Sequence, residues 1–223
     1  MHSLLVPVIA VDGPSASGKG TVAQRVAAAL GFHYLDSGAL YRLAALAAAR
    51  AGVPWDDENG VANVAQTLDV KFDGEHILLC DSEVSTAIRT ESIGVGASKV
   101  AALPQVRAAL LERQRAFAQV PGLVADGRDM GSVVFPQAPL KVFLTASAGV
   151  RAERRYKQLL ARGEEADLTA ITADLHARDE RDRARSVAPL KQLPDAHLLD
   201  TSAMDIEAAV QQILGWWQAA NRR

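Results

Sequence analysis

Short apolar runs alternate with longer amphipathic or alanine-rich stretches along most of the chain. Val8-Ile9-Ala10-Val11 is a β-branched run without polar interruption, the pattern of a strand buried on both faces. Small residues follow, then the helix-forming run VAQRVAAAL, which stops near Gly31. Phe32 to Leu35 predicts a second strand. Asp36-Ser37-Gly38 opens the helix ALYRLAALAAARAG, with Ser37 as its cap and Gly52 as its stop. Leu123-Val124-Ala125, Pro139 to Thr145 and His197 to Asp200 predict three further strands. Helices begin at Ala148, near Thr169 and at Asp205, the last ending at Trp216-Trp217. Five strands alternating with helices predict an α/β domain, residues 1–223, around a parallel sheet with helices on both faces.

Between residues 53 and 122 the texture differs. Residues 53–67 are polar and helical from Asp57 on. Leu68 to Phe72, Asp73-Gly74 and His76 to Cys80 predict a hairpin with an Asp-Gly turn, and Glu83-Val84 a third short strand. Residues 67–88 are thus expected to form a small β insert. Helix resumes with ESIGVGASKVAA, breaks at Pro104, and continues to Pro121-Gly122. Ser98 and Arg107 lie on these helices and, taken alone, read as ordinary surface residues.

Composition narrows the classes. Of 223 residues, 49% are hydrophobic and 22% charged, enough apolar material for a sizeable core. A net charge of −2 gives no general attraction to nucleic acid or anionic lipid. The single cysteine, Cys80, excludes an internal disulfide and fits a reducing compartment. No apolar run reaches the ~18 residues of a membrane span. The stretch MHSLLVPVIAVDG is too short for a signal peptide, so a cytoplasmic location is expected. The five histidines and one cysteine show no zinc spacing.

Chemistry concentrates at three places. Gly13, Pro14, Ser15, Ala16, Ser17, Gly18 and Lys19 match the GxxxxGK pattern of a phosphate-binding loop, set between a strand and a helix. Backbone N–H groups there turn around a phosphate, the helix directs its positive end at it, and the lysine neutralises charge. The strict pattern places Ser or Thr next; Gly20 stands there instead, and Thr21 follows one residue later. Asp126-Gly127-Arg128-Asp129-Met130-Gly131 closes the third strand at the end of the sheet where ligands gather. Asp126 is placed there to hold or orient magnesium through water, with Thr21 as the other candidate. Residues 151–185 hold nine basic and eight acidic residues, a balance that fits a salt-bridged surface rather than a nucleic-acid patch. Arg178, Asp182 and Arg185 share one helical face there, as a hairpin closing over phosphate would require. Arg42, early in its helix, is where a cation is disfavoured unless an anion lies beside it.

GPSASGKGT, LDSGALYR, ADGRDMGSVVFP and RDERDRARSVAPL, in this order and spacing, resemble the bacterial cytidylate kinases, among the nucleoside-monophosphate kinases. The likeness runs over essentially the whole chain. It implies a sheet ordered 2-3-1-4-5 and transfer of the γ-phosphoryl group of ATP, with Mg2+, to CMP or dCMP. Gly13 to Thr21 would cradle ATP, and Lys19, Arg128 and Arg185 would act on the transferring phosphate. Ser37, Tyr41 and Arg42 would belong to the acceptor side. Ser98, Arg107 and Asp129 would meet cytosine, and Arg178 and Asp182 the sugar. Arg151, Arg154 and Arg155 would be lid residues within 151–185. The partners expected are ATP, CMP and dCMP, with no nucleic acid or membrane, and the chain as a monomer. A kinase for another small acceptor such as UMP or AMP stays open, as does a nucleotide-binding switch. The switch lacks a guanine-reading Asn/Thr-Lys-x-Asp segment.

Overall fold

The three strands richest in β-branched and small apolar residues occupy the middle of the sheet, and the two shorter, more polar ones its edges. In the computed structural model, which describes residues 6–73 and 76–221, the elements run as follows. First come β1 (Val8–Asp12), α1 (Lys19–Leu30), β2 (His33–Asp36), α2 (Ser37–Arg50) and α3 (Glu58–Gln66). Then come β3 (Val70–Asp73), β4 (His76–Leu79), β5 (Ser82–Glu83), α4 (Glu91–Val100) and α5 (Pro104–Arg115). The chain continues with β6 (Leu123–Gly127), β7 (Leu140–Thr145), α6 (Ala148–Leu160), α7 (Leu168–Ala184), β8 (His197–Asp200) and α8 (Ile206–Ala220).

Two compact units divide these elements, one running up to Leu35 and from Phe117 onward, the other Asp36–Ala116. The first is built on a five-stranded sheet in the order β2-β6-β1-β7-β8; counted within this sheet alone, that is 2-3-1-4-5. Its β1–β6, β1–β7 and β7–β8 pairs are parallel. β1 and β6 are buried at every position, whereas half the positions of β2 and most of those of β8 are exposed, as edge strands allow. The register sets Val11 opposite Asp126 and Asp12 opposite Gly127, so two carboxylates stand at neighbouring strand ends. β6 thus runs two residues past Ala125, and Asp126 belongs to the strand. Ile9, Val11, Val142 and Leu144 of the sheet pack with Val22 and Val26 of α1 and with Ile213 and Trp217 of α8. The Trp217 ring meets Phe32 edge-on, with centroids 5.7 Å apart.

The second unit contains α2 to α5 and an antiparallel sheet in the order β3-β4-β5. The expected Asp-Gly turn includes Gly74, outside the described residues. The cap of α2 corrects the sequence reading: Asp36 caps it, accepting from Ala39 N–H at 3.1 Å, and Ser37 is already inside the helix and buried. Both side chains can cap; the extended backbone at Asp36 decides between them. Trp55 packs so closely on α4 that a Cβ at Gly96 would lie 2.6 Å from its ring.

Candidate active site

The turn from β1 into α1 is held by close backbone packing. A Cβ at Gly13 would come within 1.9 Å of Leu144 O, so only glycine fits, and Gly18 has φ +91°, the left-handed region that favours glycine. Lys19 Nζ reaches back toward Pro14 O at 3.4 Å. The Ser17 hydroxyl is fully buried and bonds to none of the described residues, which suits a ligand oxygen in the loop.

Beside this loop, Asp126 is 4% exposed and its Oδ2 accepts the Tyr34 hydroxyl at 2.6 Å. A Cβ on Gly20 would lie 3.1 Å from that same Oδ2. The carboxylate therefore fills the space a Ser or Thr side chain would need at position 20, whereas Thr21 is exposed. A buried carboxylate beside a phosphate loop suits Mg2+, which takes few protein ligands and completes its shell with water and phosphate. Among the described residues no group of three or more His, Cys, Asp or Glu could hold a metal by itself.

Arg128, just past β6, donates from Nη2 to Ser15 Oγ at 2.7 Å and from Nε to Asp182 Oδ2 at 2.8 Å. The other oxygen of Asp182 takes Arg185. Burial works against the Asp182 charge, but Arg128 and Arg185 overcome it and hold the carboxyl below its usual range. Burial likewise opposes the charge of Arg128, and Asp182 more than restores it. One carboxylate thus fixes two guanidinium groups next to the phosphate loop. Arg185 lies at the end of α7, its backbone already non-helical, and Arg178 lies one turn before Asp182.

The three arginines of α6 differ. Arg151 is 5% exposed, and its donors go to Ala146 O, Ser15 O and Asp179 Oδ2, the last at 2.7 Å. Arg154 donates to Ser17 O at 2.8 Å and to Thr201 O at 2.7 Å. Arg155 donates to Gln158 Oε1 at 2.6 Å. The structure thus brings Arg151 and Arg154 to the carbonyls of Ser15 and Ser17 in the β1–α1 loop.

In the second unit, Ser98 and Arg107 are 2% and 7% exposed, which corrects their reading as surface residues. Arg107 lies over the Tyr41 ring, 5.7 Å from its centroid, and donates to Ala101 O. Arg42 donates to Ile88 O at 2.7 Å, where Gly94 leaves it room. The carbonyl dipole relieves part of the conflict between this cation and its helix start.

The family model for cytidylate kinase matches residues 9–219. The chain belongs to the cytidylate kinase family. It is similar to the cytidylate kinase of Chromobacterium violaceum, 60% identical over 215 residues that cover 96% of this chain and 97% of that one. It is 61% identical to that of Neisseria meningitidis over 211 residues (95% and 97%) and 58% to that of Bordetella bronchiseptica over 213 (96% and 96%). Among solved structures, a gluconokinase from Sinorhizobium meliloti 1021 aligns over 98% of this chain and 95% of its own, at 18% identity and TM-score 0.47.

In this member of the cytidylate kinase family, four residues next to the predicted ones escape sequence reading. Tyr34 and Asp179 hold Asp126 and Arg151, and Thr201 takes Arg154. Asp12 accepts Met130 N–H at 2.8 Å and Gly131 N–H at 2.9 Å. Only Asp12 leaves a signal, as a carboxylate closing an otherwise apolar buried strand.

Proposed function

We propose that the protein transfers the γ-phosphoryl group of ATP to CMP, and also to dCMP, giving ADP and the nucleoside diphosphate. The observation that carries this reading is the pairing of Arg128 and Arg185 on Asp182, with Arg128 also on Ser15 of the phosphate loop. A switch that only binds nucleotide has no use for two half-buried guanidinium groups fixed on one carboxylate beside the phosphate loop; a phosphotransferase does.

An oxygen of the acceptor phosphate forms the new bond to the γ-phosphorus, and the bond to the β,γ-bridging oxygen breaks, leaving ADP. The nucleophile is already an anion, so no strong general base is needed. What remains is alignment and charge neutralisation. On this reading residues 13–21 hold the ATP phosphates, the Ser17 hydroxyl included, and Lys19 neutralises charge on the transferring group. Arg128 and Arg185 meet that group from the acceptor side. Asp126, held by Tyr34, would hold Mg2+ through water, and the metal when bound supplies charge neutralisation on the phosphates.

Ser37, Tyr41 and Arg42 are assigned to the acceptor phosphate, Ser98, Arg107 and Asp129 to cytosine, and Arg178 and Asp182 to the sugar. Arg151, Arg154 and Arg155 belong to a closing segment, residues 151–185, that excludes water. Residues 67–88 act as a small insert on the acceptor side. The reading places the enzyme in the cytoplasm as a monomer without nucleic-acid or membrane partners; no helix among the described residues is long and apolar enough to cross a membrane. Incubation with γ-labelled ATP and CMP tests the reaction. Label in CDP is expected, and label released only as inorganic phosphate would overturn it.

A further inference from the structure

Two residues of the phosphate loop have left-handed backbone, Ala16 at φ +59° and Gly18 at φ +91°. Glycine takes this conformation freely; an alanine there is uncommon, because its Cβ crowds the backbone. In both cases the carbonyl just before the left-handed residue is held by an arginine of α6. Ser15 O accepts from Arg151 Nη1 at 3.1 Å, and Ser17 O from Arg154 Nη1 at 2.8 Å. A trans peptide unit is planar, with its C=O and N–H pointing opposite ways. Holding these two carbonyls toward the arginines therefore turns the Ala16 and Gly18 N–H groups away from them. N–H groups turned to one side around left-handed residues form an anion-binding nest.

Both arginines are anchored elsewhere as well. Arg151, 5% exposed, also donates from Nε to Ala146 O at 3.1 Å and from Nη2 to Asp179 Oδ2 at 2.7 Å, so each of its three nitrogens is engaged. To touch a phosphate itself, it would have to leave a buried ion pair, which is costly. Arg154 spans two carbonyls, with Nη1 on Ser17 O and Nη2 on Thr201 O at 2.7 Å. Thr201 is tied to β7, its N–H donating to Thr145 O at 2.8 Å. A Cβ on Gly18 would lie 3.6 Å from Arg154 Nη1, so the guanidinium rests against the loop backbone.

We propose that Arg151 and Arg154 are positioning residues for the nucleotide phosphates: each fixes one loop carbonyl and thereby aims the N–H of the next residue, Ala16 or Gly18, at phosphate. The inference rests on the reading of residues 13–21 as the loop that holds the ATP phosphates. Backbone N–H groups of such a loop cradle the α- and β-phosphates. Within the closing segment, these two arginines thus serve ADP as well as ATP, and act through the backbone instead of on the transferring group.

The test measures ADP binding by calorimetry for wild type, Arg154→Ala, Arg154→Lys, Arg151→Lys and Lys19→Ala, with kcat and the KM for CMP beside it. ADP lacks the transferring group, so a residue acting only on that group lowers kcat and leaves ADP binding unmoved. A lysine keeps the charge but cannot span the two carbonyls that the Arg154 fork joins. Arg154→Ala is expected to weaken ADP binding by about tenfold, Arg154→Lys by nearly as much, and the KM for CMP to stay unmoved. Arg151→Lys, which keeps a cation for Asp179, is expected to weaken ADP binding similarly. Unchanged ADP binding in Arg154→Ala or Arg151→Lys overturns the proposal, even with a lowered melting temperature, the mark of a merely structural residue. Full rescue by Arg154→Lys also overturns it, since a charge touching phosphate directly would behave that way. Where Arg154→Ala does not fold, Arg154→Lys alone decides between loss and retention. Lys19→Ala separates the two readings. ADP binding unmoved there overturns the phosphate-loop reading and this inference with it; a loss there with none in the arginine variants overturns this inference alone.

Discussion

The Tyr34 hydroxyl lies 2.6 Å from Asp126 Oδ2, and that oxygen is 3.1 Å from where a Cβ on Gly20 would be. The missing hydroxyl residue of the phosphate loop is thus matched by a carboxylate on the neighbouring strand, oriented by a phenol. Tyr34→Phe removes only the orienting bond. Its expected effect is a Mg2+ requirement for ATP binding raised by about tenfold, as for other partners of metal-binding groups, with metal-free ATP binding unchanged. Calorimetric titration of ATP at several Mg2+ concentrations measures both. An unaltered Mg2+ dependence would separate Tyr34 from the metal.

Lys19→Ala is expected to keep the fold and lower kcat by at least about a thousandfold, because fixed charge on the transferring group contributes most to the rate. Thermal melting and steady-state kinetics check the two halves. Near-native turnover would remove the phosphate-loop assignment.

Arg151 and Arg155 are four residues apart on α6 and should behave oppositely. The pair Arg151–Asp179 is buried, with side chains 7% and 4% exposed, so Arg151→Ala strands a buried carboxylate and should cost about 3–5 kcal/mol of stability. Arg155→Ala should stay within about 0.5 kcal/mol. Urea unfolding of the two variants measures this. Equal, small effects would show that the buried pair holds nothing.

Asp12 also makes a pH prediction. Its folded value of about 7 exceeds the unfolded 3.8, so between them the native state keeps a proton that the unfolded chain has released. Its contribution is therefore most favourable at low pH and declines as pH rises through that window, by at most about 1.4 kcal/mol per unit. Relative to Asp12→Asn, the wild type should lose stability between pH 4 and pH 7 and change little above. Urea midpoints of both proteins across this range test it, and a pH-independent difference would contradict the assigned value.

The sheet and the phosphate loop were legible because they are local. A buried β-branched run, a GxxxxGK spacing and a helix-forming run need no distant partner to be read. Position in the fold decided the rest. Ser98 and Arg107 look like surface residues on their own helices and are buried, Arg107 over Tyr41. The choice of Asp36 over Ser37 as cap turned on backbone geometry at two adjacent competent residues. Residues Met130–Val134 hold a β-branched pair yet form a wide turn, because its first N–H groups meet Asp12 on another strand. The donors of Arg151 meet Ser15 and Asp179, neither close in sequence.

The central claim is phosphoryl transfer to a cytidine monophosphate, and ADP release from ATP with CMP, dCMP, UMP and AMP in parallel tests it most directly. On the proposed assignment, the Asp129 carboxylate accepts from the exocyclic amine of cytosine and would face an oxygen on uracil, a mismatch of about 1–3 kcal/mol or more. The account predicts kcat/KM for CMP and dCMP at least about tenfold above that for UMP, with AMP lower still. Comparable efficiency for UMP or AMP, or ADP release that no monophosphate stimulates, would contradict it.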